Sequence, residues 1–325
     1  MNKKTIKNIP TKVVALLTHF ILWVPIGISE ANGLWKSMPP APTARTEASV
    51  TIVKDKIFVI GGFTPKGISG KVEMLNLSTG KWSKRASLPY PLHHLTASTV
   101  NEKIYAIGGF KTGFWTPVAH TFEYDLTQDK WTKKRPMPTP RGALASVVVN
   151  SKIHLIGGAN KPFFRLVNTS AHELYDPATN SWKTLSPLPT PRDHLGIAEM
   201  NGIIYVIGGR IDVDYKHNLS HNEAYNTKTK KWSRKSDLPT ARSGITTQTF
   251  KGRVFVIGGE SEKKTFIENE AYDPTTNTWE TMEPMSKGLH GLGSAVYKNN
   301  IHLLTGGANP GGGGSKLHEV FSISR

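Results

Sequence analysis

The chain has 325 residues, of which 38% are hydrophobic, and it carries a formal net charge of +17 with no cysteine. This length allows one large domain or two ordinary ones. The absence of cysteine excludes disulfides, thiolate metal ligands and a cysteine nucleophile. A strongly basic chain attracts anionic partners such as acidic glycans, lipid head groups or acidic proteins. Because the lysines are scattered along the sequence, a merely solvated basic surface is the alternative.

Residues 1–31 have the pattern of a secretory signal peptide. Four lysines precede the apolar run VVALLTHFILWVPIGIS, and SEA at 29–31 places small residues where a signal peptidase reads. We therefore expect export to the periplasm or the extracellular space, where nucleic acid is not a partner, with an uncleaved membrane anchor as the alternative. Cleavage would remove four lysines and Glu30 and leave a charge of about +14. No later run reaches the length of a membrane span.

Two landmarks repeat along the rest of the chain. Six short apolar runs end in a glycine doublet, as in IFVIGG, and six tryptophans stand in similar polar contexts: Trp35, Trp82, Trp131, Trp182, Trp232 and Trp279. From each Trp to the first glycine of the next doublet there are 26 residues in five cases, and 27 from Trp279 to Gly306. Fixed landmarks at a period of about 50 residues indicate a repeat architecture.

Each repeat contains four short strand-like runs, separated by turn residues, and no segment shows sustained helical periodicity. Four antiparallel strands repeated six times predict an all-β, six-bladed β-propeller. We expect a single domain over residues 32–325, with blades at about 45–88, 89–138, 139–188, 189–238, 239–286 and 287–325. The last repeat lacks a fourth strand, so the segment 34–39 around Trp35 is predicted to complete it and close the ring.

The glycine doublets, the EYD, LYDP and AYDP elements on the third strand and the Trp on the fourth resemble kelch repeats. The resemblance covers residues 34–325 and implies the fold, while kelch propellers include scaffolds, adaptors and enzymes. The architecture is similar to that of exported bacterial sialic acid mutarotases, although no catalytic motif of that family matches residue by residue. Galactose oxidase also has kelch repeats, but its cofactor requires a cysteine that this chain lacks.

The loops between the second and third strands vary most in length, and they share one face of a propeller with the connections between blades. Variable loops on a rigid scaffold are where binding residues concentrate. The loops of blades 2, 3 and 4 are the longest, and we expect them to form a ligand pocket, with packing of their aromatic side chains onto the scaffold as the alternative. Their distinctive residues are Phe110, Phe114 and Trp115, then Phe163, Phe164 and Arg165, then Arg210, Asp212, Asp214, Tyr215 and His217.

Counting from each tryptophan aligns the connections between blades. The tenth residue is arginine in four blades and leucine in blades 2 and 6, and each arginine is expected to bind either backbone carbonyls or an anionic ligand. Histidines and acidic residues follow at the eleventh and twelfth places. His94, His194 and His290 come from alternate blades and are predicted to converge on the axis, as transition-metal ligands or as polar lining that contacts an anion.

A second tier of polar residues is predicted at the start of the third strands: His120, His172, His221, Glu268 and His318. His154 and His302 align with aromatic core positions of the other blades, and we interpret both as structural residues. No cofactor other than a transition metal is suggested, and the chain is expected to be a monomer.

Three functions remain open on this sequence. The first is an exported binding module for an acidic glycan or another small anion. The second is a mutarotase-like, isomerase-like or metal-dependent enzyme, with Glu47, Asp193 and His194 as candidate acid–base residues. The third is an adaptor for an acidic peptide or protein. The candidate ligand-binding residues are Arg45, His93, His94, Trp115, His120, Arg141, Phe164, Arg165, Arg192, His194, Arg210, Tyr215, His221, Arg242 and His290.

Overall fold

The computed structural model describes Met1 and residues 32–111 and 115–323. In these ranges the main sheets are six antiparallel sheets of four strands each. No helix in the described ranges is long and apolar enough to cross a membrane. The predicted signal peptide, apart from Met1, and Phe114 lie outside the described residues.

Each sheet is one blade, with strands a to d in order from the axis outward. The all-β six-bladed propeller predicted from the repeats is confirmed. In the order a, b, c, d the strands are Ser49–Val53, Lys56–Ile60, Val72–Asn76 and Lys81–Arg85 in blade 1; Thr96–Val100, Lys103–Ile107, Thr121–Asp125 and Lys130–Lys133 in blade 2; Ala145–Val149, Lys152–Ile156, His172–Asp176 and Ser181–Thr184 in blade 3; Gly196–Met200, Ile203–Ile207, Asn222–Asn226 and Lys231–Arg234 in blade 4; Thr246–Phe250, Arg253–Ile257, Asn269–Asp273 and Thr278–Thr281 in blade 5; and Gly293–Tyr297, Asn300–Leu304, His318–Ser322 and Leu34–Ser37 in blade 6.

The first strand of the chain closes the ring. Leu34–Ser37 pairs with His318–Ser322, and Trp35 stands opposite Phe321. Strand a of every blade packs beside strand a of the next, including blade 6 beside blade 1. Closure by the segment around Trp35 is therefore confirmed, and it removes the free sheet edge that an open ring would leave.

The repeated tryptophans join neighbouring blades. Trp131 lies in strand d of blade 2, and its indole N–H donates to the carbonyl of Ala86, which follows strand d of blade 1, at 2.8 Å. Trp35, Trp182, Trp232 and Trp279 make the same type of bond. At the junction of blades 6 and 1, the Nε1 atom of Trp82 has no acceptor among the described residues.

The glycine doublets end strand b in left-handed backbone. In blade 1 the φ angles of Gly61 and Gly62 are 68° and 89°, which is the region that favours glycine. In blade 6 the same two places are taken by Thr305, with φ of 61°, and Gly306. Our alignment of Gly306 with the first glycine of the other doublets is therefore wrong by one residue, and the spacing from Trp279 matches the other blades when it is counted to Thr305.

The repeated arginines are held inside the blades. Arg192 is fully buried, forms an ion pair with Glu223 of strand c, and donates to the carbonyls of Thr190 and Val206 at 2.9 Å each. Of the two alternatives predicted for these arginines, the structure shows the contact with backbone carbonyls, and it places their guanidinium groups inside the blades. The equivalent pairs are Arg45–Glu73, Arg141–Glu173 and Arg242–Glu270.

Candidate functional site

A cavity of about 1180 Å³ opens at the axis, on the face formed by the b–c loops and the connections between blades. Below it a smaller cavity of about 100 Å³ continues along the axis. The larger cavity has an aromatic wall and a floor of buried ionisable side chains. The floor residues are Glu47, His94, His194, Arg210, Glu260 and His290.

The twelfth residues counted from the six tryptophans surround the axis. The N–H of each donates to the carbonyl of its counterpart in the preceding blade at 2.8 to 3.1 Å, and the six bonds form a closed circle. All six have φ between 51° and 64°, and all six line the smaller cavity. They are Glu47, His94, Ala143, His194, Gly244 and Gly291.

Glu47 lies between two histidines, His94 and His290, whose pKa values are shifted in opposite directions, downward for His94 and upward for His290. Its carboxylate is 3.3 Å from Nε2 of His94 and 3.2 Å from Nδ1 of His290. Burial opposes ionisation of Glu47, but His94 and His290 outweigh it and hold its pKa well below the usual value. Gly291 makes room for this carboxylate, because a Cβ atom there would lie 2.3 Å from Oε1 of Glu47.

His290 connects Glu47 to a second carboxylate. Its Nδ1 is 3.3 Å from Oε2 of Glu260, and its Nε2 is 3.2 Å from the carbonyl of Gly312. Burial lowers the pKa of His290, but the two carboxylates raise it by more, so that the net shift is upward. Since both ring nitrogens face oxygen atoms, the doubly protonated ring matches its surroundings.

Arg210 continues the network into blade 4. Its guanidinium lies 3.0 Å from Glu260, 3.0 Å from Asp193 and 3.0 Å from Nε2 of His194. Asp193 also accepts from Nδ1 of His194. Burial raises the pKa of Asp193, but His194 and Arg210 outweigh it and lower the pKa. The charges thus alternate around the axis from Glu47 to Asp193.

His93 and His94 are held in an aromatic cluster beside this network. Their Nδ1 atoms are 2.5 Å apart. The ring centroids of His93 and Phe63 are 4.1 Å apart, and those of His94 and Trp115 are 4.7 Å apart. Burial lowers the pKa of His93 to about 4 and that of His94 well below its usual value. Both rings are therefore neutral at pH 7. The contact between the two Nδ1 atoms helps to hold the ring of His94 in place.

The structure brings most of the predicted site together. The cavity is lined by His94, Trp115, Phe164, Arg165, His194, Arg210, Tyr215 and His290, and by the candidate acid–base residue Glu47. Asp193 and His93 are not part of the lining and instead contact His194 and His94.

Two predicted binding residues, His120 and His221, do not line the cavity, although His221 contacts Thr190, which does. His120 stacks on Tyr90 at 5.1 Å between ring centroids, and Nδ1 of His221 is 3.3 Å from the hydroxyl of Thr190. Both precede strand c, which is third from the axis, whereas the floor residues either precede strand a or follow the glycine doublet that ends strand b. The structure therefore does not bring these two histidines into the lining of the cavity.

The two histidines that begin strand c, His172 and His318, are paired within their blades. His172 contacts His154 at 2.9 Å, and His318 contacts His302 at 3.0 Å. All four are buried. His154 and His302 thus occupy core positions, and their partners His172 and His318 are buried in the same blades.

Sequence reasoning missed several residues of the cavity, among them Phe63 and Glu260. Each follows a glycine doublet and pairs by a β-bridge with the eleventh residue of its own blade, Thr46 or Ser243. Arg210 has the same place in blade 4, where it pairs with Asp193. Aligning the residue after each doublet, in the way the connections were aligned, would have found both.

Six four-stranded blades with kelch landmarks, closed by the first strand, define a kelch-repeat six-bladed β-propeller. This fold supports a binding or interaction module. The chain belongs to the Attractin/LZTR1 β-propeller family, whose sequence pattern matches residues 31–259. A Kelch motif also matches residues 241–286.

Three curated proteins with similar sequences are all named as kelch-like proteins. Kelch-like protein terF of Aspergillus terreus is 32% identical over 226 residues, which cover 63% of this chain and 49% of the fungal protein. Kelch-like protein 13 of Mus musculus is 38% identical over 52 residues, covering 16% of this chain and 8% of that protein. Kelch-like ECH-associated protein 1A of Danio rerio is 46% identical over 44 residues, covering 13% and 7%. The chain thus spans about half or less of the length of these curated relatives.

Among solved structures, one described as "Structure of YjhT" superposes with a TM-score of 0.76 at 14% sequence identity. The alignment covers 87% of this chain and 96% of that chain. At this identity the likeness shows the fold alone.

Proposed function

We propose that this protein is an exported binding module that holds a small acidic glycan in the axial cavity. The observation that carries the proposal is a cavity of about 1180 Å³ with an aromatic wall, a basic rim and a buried polar floor. A concave site with a few convergent polar groups is the usual form of a small-molecule site.

The wall offers flat apolar surfaces for sugar rings. Phe63, Trp115 and Tyr215 line the cavity from blades 1, 2 and 4. Tyr215 is further fixed by the guanidinium of Arg210, 5.6 Å from its ring centroid. Aromatic side chains combine a large contact area with few rotatable bonds, which suits them to the faces of a rigid ring.

The rim supplies the attraction for an acidic group. The Arg165 side chain is exposed and lines the cavity next to Phe164, whereas Arg210 on the floor is already paired with Asp193 and Glu260. An arginine can bind a carboxylate or sulfate through two parallel hydrogen bonds. We therefore assign the acidic group to the rim and the sugar hydroxyls to the floor.

The test is calorimetric titration with a glucuronic-acid disaccharide and with its neutral glucose counterpart. We expect tighter binding of the acidic sugar, and an affinity loss of about tenfold in Arg165→Ala, equivalent to one charged hydrogen bond. Trp115→Ala should weaken binding of both sugars. Arg253→Ala is the matched control, because Arg253 pairs with Glu280 on the outer strand. Equal affinity for both sugars, or no binding of any acidic glycan on an array, would refute the proposal.

The second candidate is an enzyme that interconverts sugar anomers. The observation that favours it is the pair Glu47 and His94, in contact at 3.3 Å at the cavity floor, with the neutral ring of His94 beside an ionised carboxylate. Mutarotation requires only an acid and a base at the hemiacetal. Exchange NMR on a reducing sugar acid would then show catalysed interconversion that Glu47→Gln abolishes while binding persists.

The third candidate, an adaptor for an acidic peptide, uses the same face. An acidic peptide array separates it from the glycan proposal, because peptide retention without glycan retention would favour the adaptor. Export is tested separately by mass spectrometry of the secreted chain, where cleavage after Ala31 is expected and an intact N-terminus in the cell fraction would contradict it.

A further inference from the structure

Three potential metal ligands meet at the floor of the axial cavity. One donor atom each from Glu47, His94 and His194 lies within 4.8 Å of the other two. They come from blades 1, 2 and 4, and all three occupy the twelfth position of their connection. The closed circle of backbone hydrogen bonds fixes their main chains, so the site is largely preorganised.

The spacing approaches that of a tetrahedral metal site. Zinc–nitrogen and zinc–oxygen bonds of about 2.0–2.1 Å imply donor atoms about 3.3–3.4 Å apart in a tetrahedron. Oε2 of Glu47 and Nε2 of His94 are 3.3 Å apart. The ring centroids of His94 and His194 are 4.7 Å apart, and the three donor atoms lie within 4.8 Å of one another, so the three side chains would move closer together around a bound ion.

Each histidine is supported at its other ring nitrogen. Nδ1 of His194 contacts the carboxylate of Asp193, and Nδ1 of His94 contacts Nδ1 of His93. In both cases Nε2 is left toward the axis. A carboxylate behind a ligating histidine is the usual second contact of a metal-bound imidazole, where it fixes the ring and its tautomer.

One contact opposes a metal ion. Nη2 of Arg210 is 3.0 Å from Nε2 of His194 and competes for the same lone pair. Arg210 has two further partners, Asp193 and Glu260, which hold it when that contact is given up. Three carboxylates, Glu47, Asp193 and Glu260, lie in or directly beneath this floor and outnumber the guanidinium of Arg210, so they offset part of the charge of an added cation.

We propose that Glu47, His94 and His194 bind a divalent transition-metal ion of the zinc type, with an open coordination position toward the axial cavity. Two imidazoles and one carboxylate suit such ions, and three protein ligands with one open position are the pattern of zinc sites that act on a ligand. His290, which the sequence suggested as the third ligand, is instead placed between Glu47 and Glu260.

To test this proposal, metal is removed from the full chain with EDTA. The chain is then titrated with Zn²⁺ alone in a competition assay. One ion should bind per chain, and His94→Gln and His194→Gln should each weaken binding by about 100-fold or more, beyond the 10–100-fold typical of an outer contact. His120→Gln is the control, because His120 lies outside the cavity. Arg210→Gln should tighten binding, which a purely structural role would not produce.

Co²⁺ provides a second readout that does not depend on a variant folding. Intense visible absorption is expected when Co²⁺ enters a tetrahedral site, and it should be displaced by one equivalent of Zn²⁺. Melting curves of each variant without metal identify any that fail to fold. Binding unchanged by both histidine substitutions, or no binding at all, would overturn the proposal.

Discussion

Two buried ionic networks in this propeller are built on opposite principles. The arginine–glutamate pairs inside the blades, such as Arg192–Glu223, recur in four copies, and each is complete within one blade. The axial network is made once, from residues at three different places in the repeat: Glu47, His94 and His194 at the twelfth position, His290 at the eleventh, and Arg210 and Glu260 after the glycine doublets. An ion pair that recurs in most blades stabilises the blade itself. A cluster of charged residues that forms only because the blades differ indicates a binding site.

Individual blades also differ in whether they contain the buried arginine–glutamate pair. Blade 2 replaces the buried pair with Leu92 and Phe122, which belong to one apolar cluster. Blade 6 keeps the acid, Glu319, but places Leu289 where the arginine would be, and Ser286 donates to that acid at 2.6 Å. The residues that replace the pair in one blade can therefore be introduced at the equivalent positions of another blade as test substitutions.

The largest effect is expected when a repeated pair is broken. Arg192→Leu leaves Glu223 buried without its guanidinium and should lower the free energy of unfolding by about 3–5 kcal/mol. Arg192→Leu with Glu223→Phe copies Leu92 and Phe122 and should recover part of that loss. Urea unfolding of wild type, single and double variants measures both. A double variant no more stable than the single one would show that the two positions are not coupled.

A pH-dependent effect of up to about 3 kcal/mol is expected from the buried histidine of blade 3. Burial lowers the pKa of His154 to about 4, so the unfolded chain, with a pKa near 6.5, takes up a proton first. Stability is therefore complete above about pH 6.5 and is lost as the pH falls toward 4. His154→Phe copies Phe58 of blade 1 and should reduce that loss.

Urea unfolding at pH 7 and at pH 4.5 checks this second expectation. His217→Gln is the control, because His217 is exposed and its replacement should leave the acid dependence unchanged. An identical loss of stability in His154→Phe and wild type would rule out His154 as a source of acid sensitivity.

A smaller difference is expected between two tryptophans that differ in one hydrogen bond. The indole N–H of Trp279 donates to the carbonyl of Ser236 at 2.9 Å, whereas Nε1 of Trp82 has no acceptor in the described part of the chain. Trp279→Phe should therefore cost about 1 kcal/mol more than Trp82→Phe. Equal losses in thermal unfolding would mean that these bonds contribute nothing net.

The smallest expected effect is a gain in stability. Thr305 holds a left-handed backbone that the other blades give to glycine, and its hydroxyl is buried without a partner among the described residues. Thr305→Gly should stabilise the chain by up to about 1 kcal/mol. Thr278→Gly, in strand d of blade 5, should instead destabilise it, and a loss of stability in Thr305→Gly would contradict this reading.

The fold could be predicted because its landmarks act locally. A glycine doublet sets the backbone where strand b ends, and a tryptophan joins one blade to the next, so their spacing alone defines the ring. Counting from the tryptophans also placed His94 and His194 on the axis; Glu47 occupies the same step of its connection, but the sequence suggested it only as an acid–base residue and suggested His290 as the third axial group. The exception, Thr305, was missed because two glycines follow it and imitate the doublet one residue late.

The partners within the site could not be predicted in the same way. His290 lies between Glu47 and Glu260, three residues on three different blades, and nothing in their separation along the chain fixes which side chains meet. Arginines such as Arg192 share the connection with the floor residues, yet they turn into the blade. The tenth residue turns into the blade whatever its type, since Leu92 and Leu289 are buried at the same place, whereas the twelfth residues line the axial cavity.

The circle of six backbone hydrogen bonds has a mechanical consequence. Every N–H in the circle points the same way around the axis, so the chain of hydrogen bonds has no free end. The aligned hydrogen bonds polarise and strengthen one another. No single blade can move outward without breaking a bond on either side of it. The circle therefore fixes the width of the narrow cavity of about 100 Å³ at the bottom of the site, whereas the loops above it differ from blade to blade.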